Sequence, residues 1–251
     1  MNEHFKDHFS NSADAYSQYR PGYPSALFEC LASLTPYHDM AWDCATGSGQ
    51  AAIRLTEWFE RVIATDASGT QIAAAIPHPR IDYRVAPAER CRITPASADL
   101  VTVAQALHWF DLPVFFNEVK RVLKPGGAIA VWSYNLLKID PEIDRIIDGL
   151  YFDTLQRYWP EERKQVERGY ADTPFPFTPV PAIPDFAITA RWDLRHLLGY
   201  LGTWSAVQSM IRQAGLNPLE QVQQALAEVW GDPKRQRAAS WPLSIRVGYN
   251  P

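Results

Sequence analysis

Two carboxylates bracket a run of small residues in this chain, and their types and spacing describe a nucleotide pocket. The run Asp43-Cys44-Ala45-Thr46-Gly47-Ser48-Gly49 follows an apolar segment. Asp66 closes the next one, Val62-Ile63-Ala64-Thr65, seventeen positions beyond Gly49. Small residues let a backbone turn sharply out of a strand and approach a ligand closely, and a carboxylate at that distance is placed to grip a ribose. Asp66 would accept from both ribose hydroxyls in one charge-assisted, bidentate contact. Asp43 narrows the choice of nucleotide. A carboxylate two residues before the first small residue would repel a pyrophosphate, which argues against a dinucleotide. It suits a ligand that carries an ammonium and a sulfonium.

S-adenosylmethionine (AdoMet) carries both of those cations. The run resembles the acidic-x-Gly-x-Gly-x-Gly motif of class I AdoMet-dependent methyltransferases, with Ala45 where the family usually has its first glycine and Gly47 and Gly49 in the other two places. Two later segments strengthen the likeness. Residues 97 to 110, Ser-Ala-Asp-Leu-Val-Thr-Val-Ala-Gln-Ala-Leu-His-Trp-Phe, read as a buried strand that breaks into a loop. Residues 119 to 132 read as a helix end, the turn Pro125-Gly126-Gly127, and another apolar strand. They are similar to the fourth and fifth strands of that family, in the right order and at the right spacing. The resemblance covers residues 9 to 135 well and the remainder loosely, and points to the methyltransferase type 11 group.

The resemblance implies AdoMet as cofactor, S-adenosylhomocysteine as product, and roles for several further residues. The loop Ala86-Pro87-Ala88-Glu89 aligns with the segment that family members use to hold adenine. Pro87 stands at the usual acidic position, so the contacts fall to the Ala88 backbone or to Glu89. Gln105, just past the fourth strand, would reach the methionine backbone or line the methyl-transfer face. The N-terminal run from Phe9 to Pro24 is similar to the opening of trans-aconitate methyltransferase-like enzymes. In those relatives it folds over the cofactor, which makes Tyr19 and Arg20 candidates for the methionine carboxylate.

His108 and Trp109 directly follow the strand end that flanks the transferring methyl group. A histidine there is a general base for an amine or hydroxyl acceptor, an orienting group for a carboxylate that needs no base, or a packing residue. Trp109 offers a π face to a sulfonium or forms a wall of the pocket. Arg168, Arg191, Arg195 and His196 are further candidates to meet an acidic substrate. The expected activity is methyl transfer to a small-molecule acceptor, with a carboxylic acid as one option. A non-catalytic AdoMet-binding protein and a nicotinamide-dependent oxidoreductase are the rival readings.

These residues need a scaffold that brings strand ends together. Before residue 135 the sequence alternates strand and helix: strands at 39–43, 61–65, 81–85, 99–104 and 128–133, and helices at 50–59, 69–75 and 113–123. That alternation predicts an α/β fold with a doubly wound, mostly parallel, seven-stranded sheet and a helical cap. One domain over 1–251 is expected. Residues 1–38 would form an N-terminal lid and first helix, 39–135 the cofactor-binding core, 136–185 a helical and Pro-rich insertion, and 186–251 a substrate-side region that completes the sheet. The last region reads as a strand at 186–192, a helical stretch at 194–229 and a final strand at 243–249.

Composition limits the partners. A net charge of −4 over 251 residues gives no basic footprint for nucleic acid. Cys30, Cys44 and Cys91 have neither paired nor metal-ligand spacing, so no metal is expected and the thiols suit a reducing, cytoplasmic compartment. No stretch reads as a signal peptide or a membrane span.

Overall fold

A computed structural model describes residues 19–251. The part of the N-terminal run from Phe9 to Gln18 lies outside the described residues. The alternation seen in the sequence becomes helix α1 (Ser25–Ser33), β1 (Met40–Cys44), α2 (Gln50–Leu55), β2 (Arg61–Asp66), α3 (Gly69–Ala73), β3 (Ile81–Val85), β4 (Ala98–Ala104), α4 (Leu112–Val122) and β5 (Leu123–Tyr134). These five strands pair in parallel in the order β3-β2-β1-β4-β5. Strands β1 and β4 are buried on both faces because helices cover both sides, as parallel sheets require.

Alternate residues of each strand feed two separate cores. Trp42, Ile63, Val101, Val103, Ile129 and Val131 pack with Phe115, Phe116 and Val119 of α4. Ala41, Val62, Ala64, Leu100, Ala130 and Trp132 pack with Leu27, Phe28 and Leu31 of α1 and with the alanines of α2. At the amino ends of the strands, the buried Asp99 carboxylate accepts from the Met40 N–H at 3.0 Å and from Lys124 Nζ at 2.7 Å, tying β1, β4 and β5 together. The carboxyl ends are left for ligand. The order reverses between β1 and β4, which is where such sheets open a crevice.

Beyond Tyr134 the chain builds the cap: α5 (Pro141–Asp148), a π-helical turn (Gly149–Thr154), a 3-10 turn (Gln156–Tyr158), α6 (Arg163–Glu167), then β6 (Thr178–Pro179), β7 (Ala187–Trp192), α7 (Leu194–Gly202), α8 (Ser205–Ala214), α9 (Pro218–Trp230) and β8 (Arg237–Tyr249). Asp140, Asp193 and Asn217 start α5, α7 and α9 by accepting N–H bonds from the first turn. The helical stretch expected at 194–229 is three helices, interrupted at residue 203 and again at Gly215, which adopts φ +67°. A third core lies among these helices, around Leu197, Tyr200, Trp204, Trp230 and Trp241.

The final strand is longer than the sequence suggests. Its second half, Leu243–Tyr249, runs antiparallel to β5, and its first half, Arg237–Pro242, runs antiparallel to β7. Pro242 sits where the strand changes partner, a position at which a missing N–H is tolerated. The Pro-rich segment, expected to be loop throughout, contributes the two-residue β6 on the free side of β8. With it the sheet has eight strands, five of them parallel.

Candidate functional site

The turn after β1 is built around left-handed backbone. Ala45, Gly47 and Gly49 have φ of +54°, +56° and +89°. The alanine occupies a conformation that costs an L-residue about 1–2 kcal/mol. Only glycine fits at 49, because a Cβ there would run into the Tyr83 hydroxyl. Register places Asp43 beside Ala64 on one side and Thr102 on the other. Its carboxylate, only 1% exposed, accepts from Thr46 Oγ1 at 2.5 Å and from Thr102 Oγ1 at 2.7 Å. Burial, with a small further push from the Asp66 charge, raises its pKa to about 6 against these bonds and an Ala52 N–H.

Asp66 stands at the end of β2 and reaches across to the same turn. One carboxylate oxygen accepts from the Gly47 N–H at 2.9 Å and the other from the Ser68 N–H at 2.8 Å. The two acidic residues and the three small ones therefore form one unit at the crevice. Gln105 joins them from the end of β4 with φ +58°. Its Nε2 donates to the Tyr134 carbonyl at 2.9 Å, which fixes the amide orientation and leaves Oε1 buried without a donor among the described residues. A buried acceptor in that state costs about 1–3 kcal/mol and calls for a donor.

Other candidates take different places. Ala88 is buried in the core that backs the turn. Glu89 Oε1 accepts the Asp111 N–H at 3.0 Å, so its carboxylate is engaged at the start of α4. Arg20 donates to the Tyr134 hydroxyl at 3.1 Å and to Thr203 Oγ1 at 3.2 Å, with its guanidinium over Tyr200. Tyr19 lies edge-on to His196 and over Gly199, on α7. Arg168 pairs with exposed Asp172, Arg191 and Arg195 are exposed, and His196 stacks on Trp192.

His108 and Trp109 form a 3-10 turn (Leu107–Trp109) four residues beyond β4, with ring centroids 4.6 Å apart. His108 Nδ1 is 3.0 Å from the Tyr170 hydroxyl. That hydroxyl has no other side-chain acceptor among the described residues, and the backbone N–H groups of Leu107 and His108 favour its oxygen. Hydrogen-bond accounting therefore assigns the phenol proton to Nδ1 and the imidazole proton to Nε2. Burial, and behind it the charge of Arg163, lowers the His108 pKa to about 3. The ring is neutral, its basic nitrogen is occupied, and its free nitrogen is a donor.

Arg163, on α6, is the residue that sequence reading missed. Its Nε donates to the Tyr151 hydroxyl at 2.9 Å, whose own proton goes to Glu167 at 2.7 Å, and its Nη2 donates to Asn135 Oδ1 at 2.9 Å. The rings of Tyr151 and Trp159 flank the guanidinium. Nothing in the sequence around Arg163 distinguishes it from its charged neighbours. Two surface cavities include no residue of the glycine turn, one of about 430 Å³ lined by Arg90, Arg92, Glu118 and Arg121, the other of about 310 Å³ beside Lys164, Tyr170 and Asp172.

The family model described as a methyltransferase domain matches residues 42–131. A Dictyostelium discoideum protein provisionally named a methyltransferase is 32% identical over 246 residues, covering 92% of this chain and 90% of its own. The chain belongs to the class I methyltransferases. A solved structure from Anaeromyxobacter dehalogenans, provisionally named a type II methyltransferase, is 47% identical, covers 92% of this chain and 98% of its own, and superposes with a TM-score of 0.87. A Saccharomyces cerevisiae protein, provisionally named an S-adenosylmethionine-dependent methyltransferase, is 31% identical over 51% of this chain and 45% of its own.

The matched span of the methyltransferase family runs from β1 to β5 and so contains Asp43, Asp66, Gln105 and His108, but not Arg163 or Tyr170. Among the described residues no group of three or more His, Cys, Asp or Glu could hold a metal, and no helix is long and apolar enough to cross a membrane. All three cysteines are free thiols.

Proposed function

We propose that this methyltransferase takes its methyl group from AdoMet and delivers it to a small-molecule acceptor. The observation that carries the reading is the orphaned Gln105 Oε1 beside the left-handed turn and the Asp66 carboxylate, at the carboxyl ends of three neighbouring strands. An ammonium on the ligand would supply the donor that this oxygen lacks. Asp43 lies beneath the turn as a buried carboxylate, and a cation above it would offset the cost of its charge. Asp66 would exchange its Gly47 bond for ribose hydroxyls. The backbone of Ala88 would face adenine, and Arg20 would meet the ligand's carboxylate. The name of the yeast relative supports the same cofactor.

AdoMet supplies an activated methyl, so the chain's own work is to bind, to orient the acceptor and to exclude water. The division expected from the sequence fits this work. We assign residues 39–135 to the cofactor, 136–185 to a capping insertion and 186–251 to the acceptor side, with residues 1–38 as a lid and first helix. The free thiols fit a reducing, cytoplasmic setting.

Calorimetric titration with AdoMet, with NAD in parallel, tests the reading. Micromolar AdoMet binding and no NAD response are expected. Asp66→Ala should weaken AdoMet binding by roughly 1.5–3 kcal/mol, the range for hydrogen bonds to a charged group. A folded wild-type protein that does not bind AdoMet would remove the proposal.

A further inference from the structure

We propose that the Arg163 guanidinium and the His108 Nε2–H form a recognition pair for an acceptor carboxylate, whose oxygen receives the methyl group. The inference rests on the AdoMet reading above and adds to it the substrate class and the residues that select it. Arg163 Nη1 and His108 Nε2 have no hydrogen-bond partner among the described residues, and neither is among the fully buried unpartnered atoms, so both open to solvent. They come from neighbouring elements: His108 follows β4, and Arg163, on the helix that packs against the His108 turn, is held over the end of β5 by Asn135.

The polar inventory of this space excludes most acceptors. No carboxylate lies within ion-pair distance of Arg163 among the described residues, since Glu167 reaches it only through the Tyr151 hydroxyl. The guanidinium, which lies over the adjoining rings of Tyr151 and Trp159, is therefore an unneutralised cation, which favours an anion and repels an ammonium. An alcohol or amine would also need a base. His108 cannot serve, with Nδ1 taken by Tyr170, and the Tyr151 and Tyr170 phenols are pushed well up by burial. A carboxylate arrives already ionised. It has two oxygens, one for the guanidinium and the imidazole N–H and one free to react.

The electron balance is complete without any further group. The free carboxylate oxygen forms the new C–O bond with its own lone pair, and the C–S bond of the methyl donor breaks with its pair retained on sulfur. The anionic acceptor becomes a neutral ester, the sulfonium becomes a thioether, and no proton moves. The half-buried Trp159 ring beside the guanidinium suits an aromatic or unsaturated body behind the carboxylate.

The test uses the full chain saturated with S-adenosylhomocysteine and, as probes, benzoate, phenylacetate and cinnamate beside their primary amides. Calorimetry should show carboxylate binding at least 10-fold tighter than binding of the matching amide. With AdoMet in place, mass spectrometry should find the methyl ester. Arg163→Met should weaken carboxylate binding about 10- to 100-fold, the loss of one charged hydrogen-bond pair, while AdoMet affinity stays within twofold. Arg163→Lys, which keeps the charge and most of the packing, should recover part of it. His108→Gln, which keeps a donor, should raise KM more than it lowers kcat.

Three results would overturn the proposal. One is equal binding of amide and carboxylate. Another is undiminished carboxylate affinity in a folded Arg163→Met variant. The third is AdoMet binding by the wild type with methylation of amines or alcohols but of no carboxylate. Absence of AdoMet binding altogether would instead remove the cofactor reading, which the first titration reports separately.

Discussion

Asp43→Asn should make the protein more stable at neutral pH and worse at holding its cofactor. The carboxylate is buried, and burial moves its pKa from 3.8 to about 6 even with two threonine hydroxyls donating to it. A shift of about two units corresponds to about 3 kcal/mol, by which the ionised group disfavours the folded state. The sign follows from proton binding. Between pH 3.8 and about 6 the folded protein holds a proton that the unfolded chain has released, so this residue's cost is absent below that window. It grows as pH rises through the window and is complete above it. Asparagine carries no charge and keeps a carbonyl for Thr46. Its amide can donate to Thr102 Oγ1, whose proton can turn to the Trp42 carbonyl 3.5 Å away.

Urea unfolding of wild type and Asp43→Asn at pH 7.5, 5 and 3.5 measures the effect. The variant should be on the order of 2–3 kcal/mol more stable at the highest pH, with the gap closing toward the lowest. AdoMet titration at pH 7.5 should show weakened binding, because the buried negative charge beneath the turn is gone. A variant that is less stable than wild type at pH 7.5, or a gap that does not change with pH, would refute the argument that Asp43 is a strained charge held for a cation.

Gly49→Ala places a methyl group against the Tyr83 hydroxyl at φ +89° and should cost about 2 kcal/mol or more of stability by chemical denaturation. The Tyr83 hydroxyl is buried without a partner among the described residues, so Tyr83→Phe in the same background should restore part of the loss. Ala45→Gly relieves a residue at φ +54°, and the strain released should outweigh the added chain entropy by roughly 0.5 kcal/mol, with AdoMet affinity unchanged. A destabilised Ala45→Gly would mean that the methyl group packs against something the turn needs.

The cofactor half of the site was legible because local backbone makes it. The glycine turn, Asp66 and Gln105 lie at strand ends, and the strands announce themselves as apolar runs with small-residue breaks. β3 runs over 81–85, where the pattern puts it, and β2 and β4 differ from expectation by one residue. Side-chain partners were harder to read. Glu89 closes the expected adenine loop in sequence, and nothing there announces that its carboxylate accepts the Asp111 N–H at the start of α4. The start of β8 was hidden because Pro242 reads as a strand breaker, and only the change of partner from β7 to β5 makes it acceptable.

The proposed acceptor half was legible only at His108, which the end of the fourth strand marks. Asn135, Tyr151, Arg163 and Tyr170 lie 27 to 62 positions beyond it. Each of these four is unremarkable in its own segment, and only the cap's packing gives them a common chemistry with His108. Tyr134 joins the two halves physically, since its carbonyl fixes Gln105 on the cofactor side and its hydroxyl receives Arg20 from the chain's N-terminal part. The arrangement lets the cap exchange its polar residues without disturbing the turn, so acceptor choice can change while the cofactor site stays the same. His108 cannot be exchanged so freely, because it stands in the turn that leaves β4 three residues after Gln105. Its neutrality beside Arg163 is what keeps that shared wall from repelling the guanidinium.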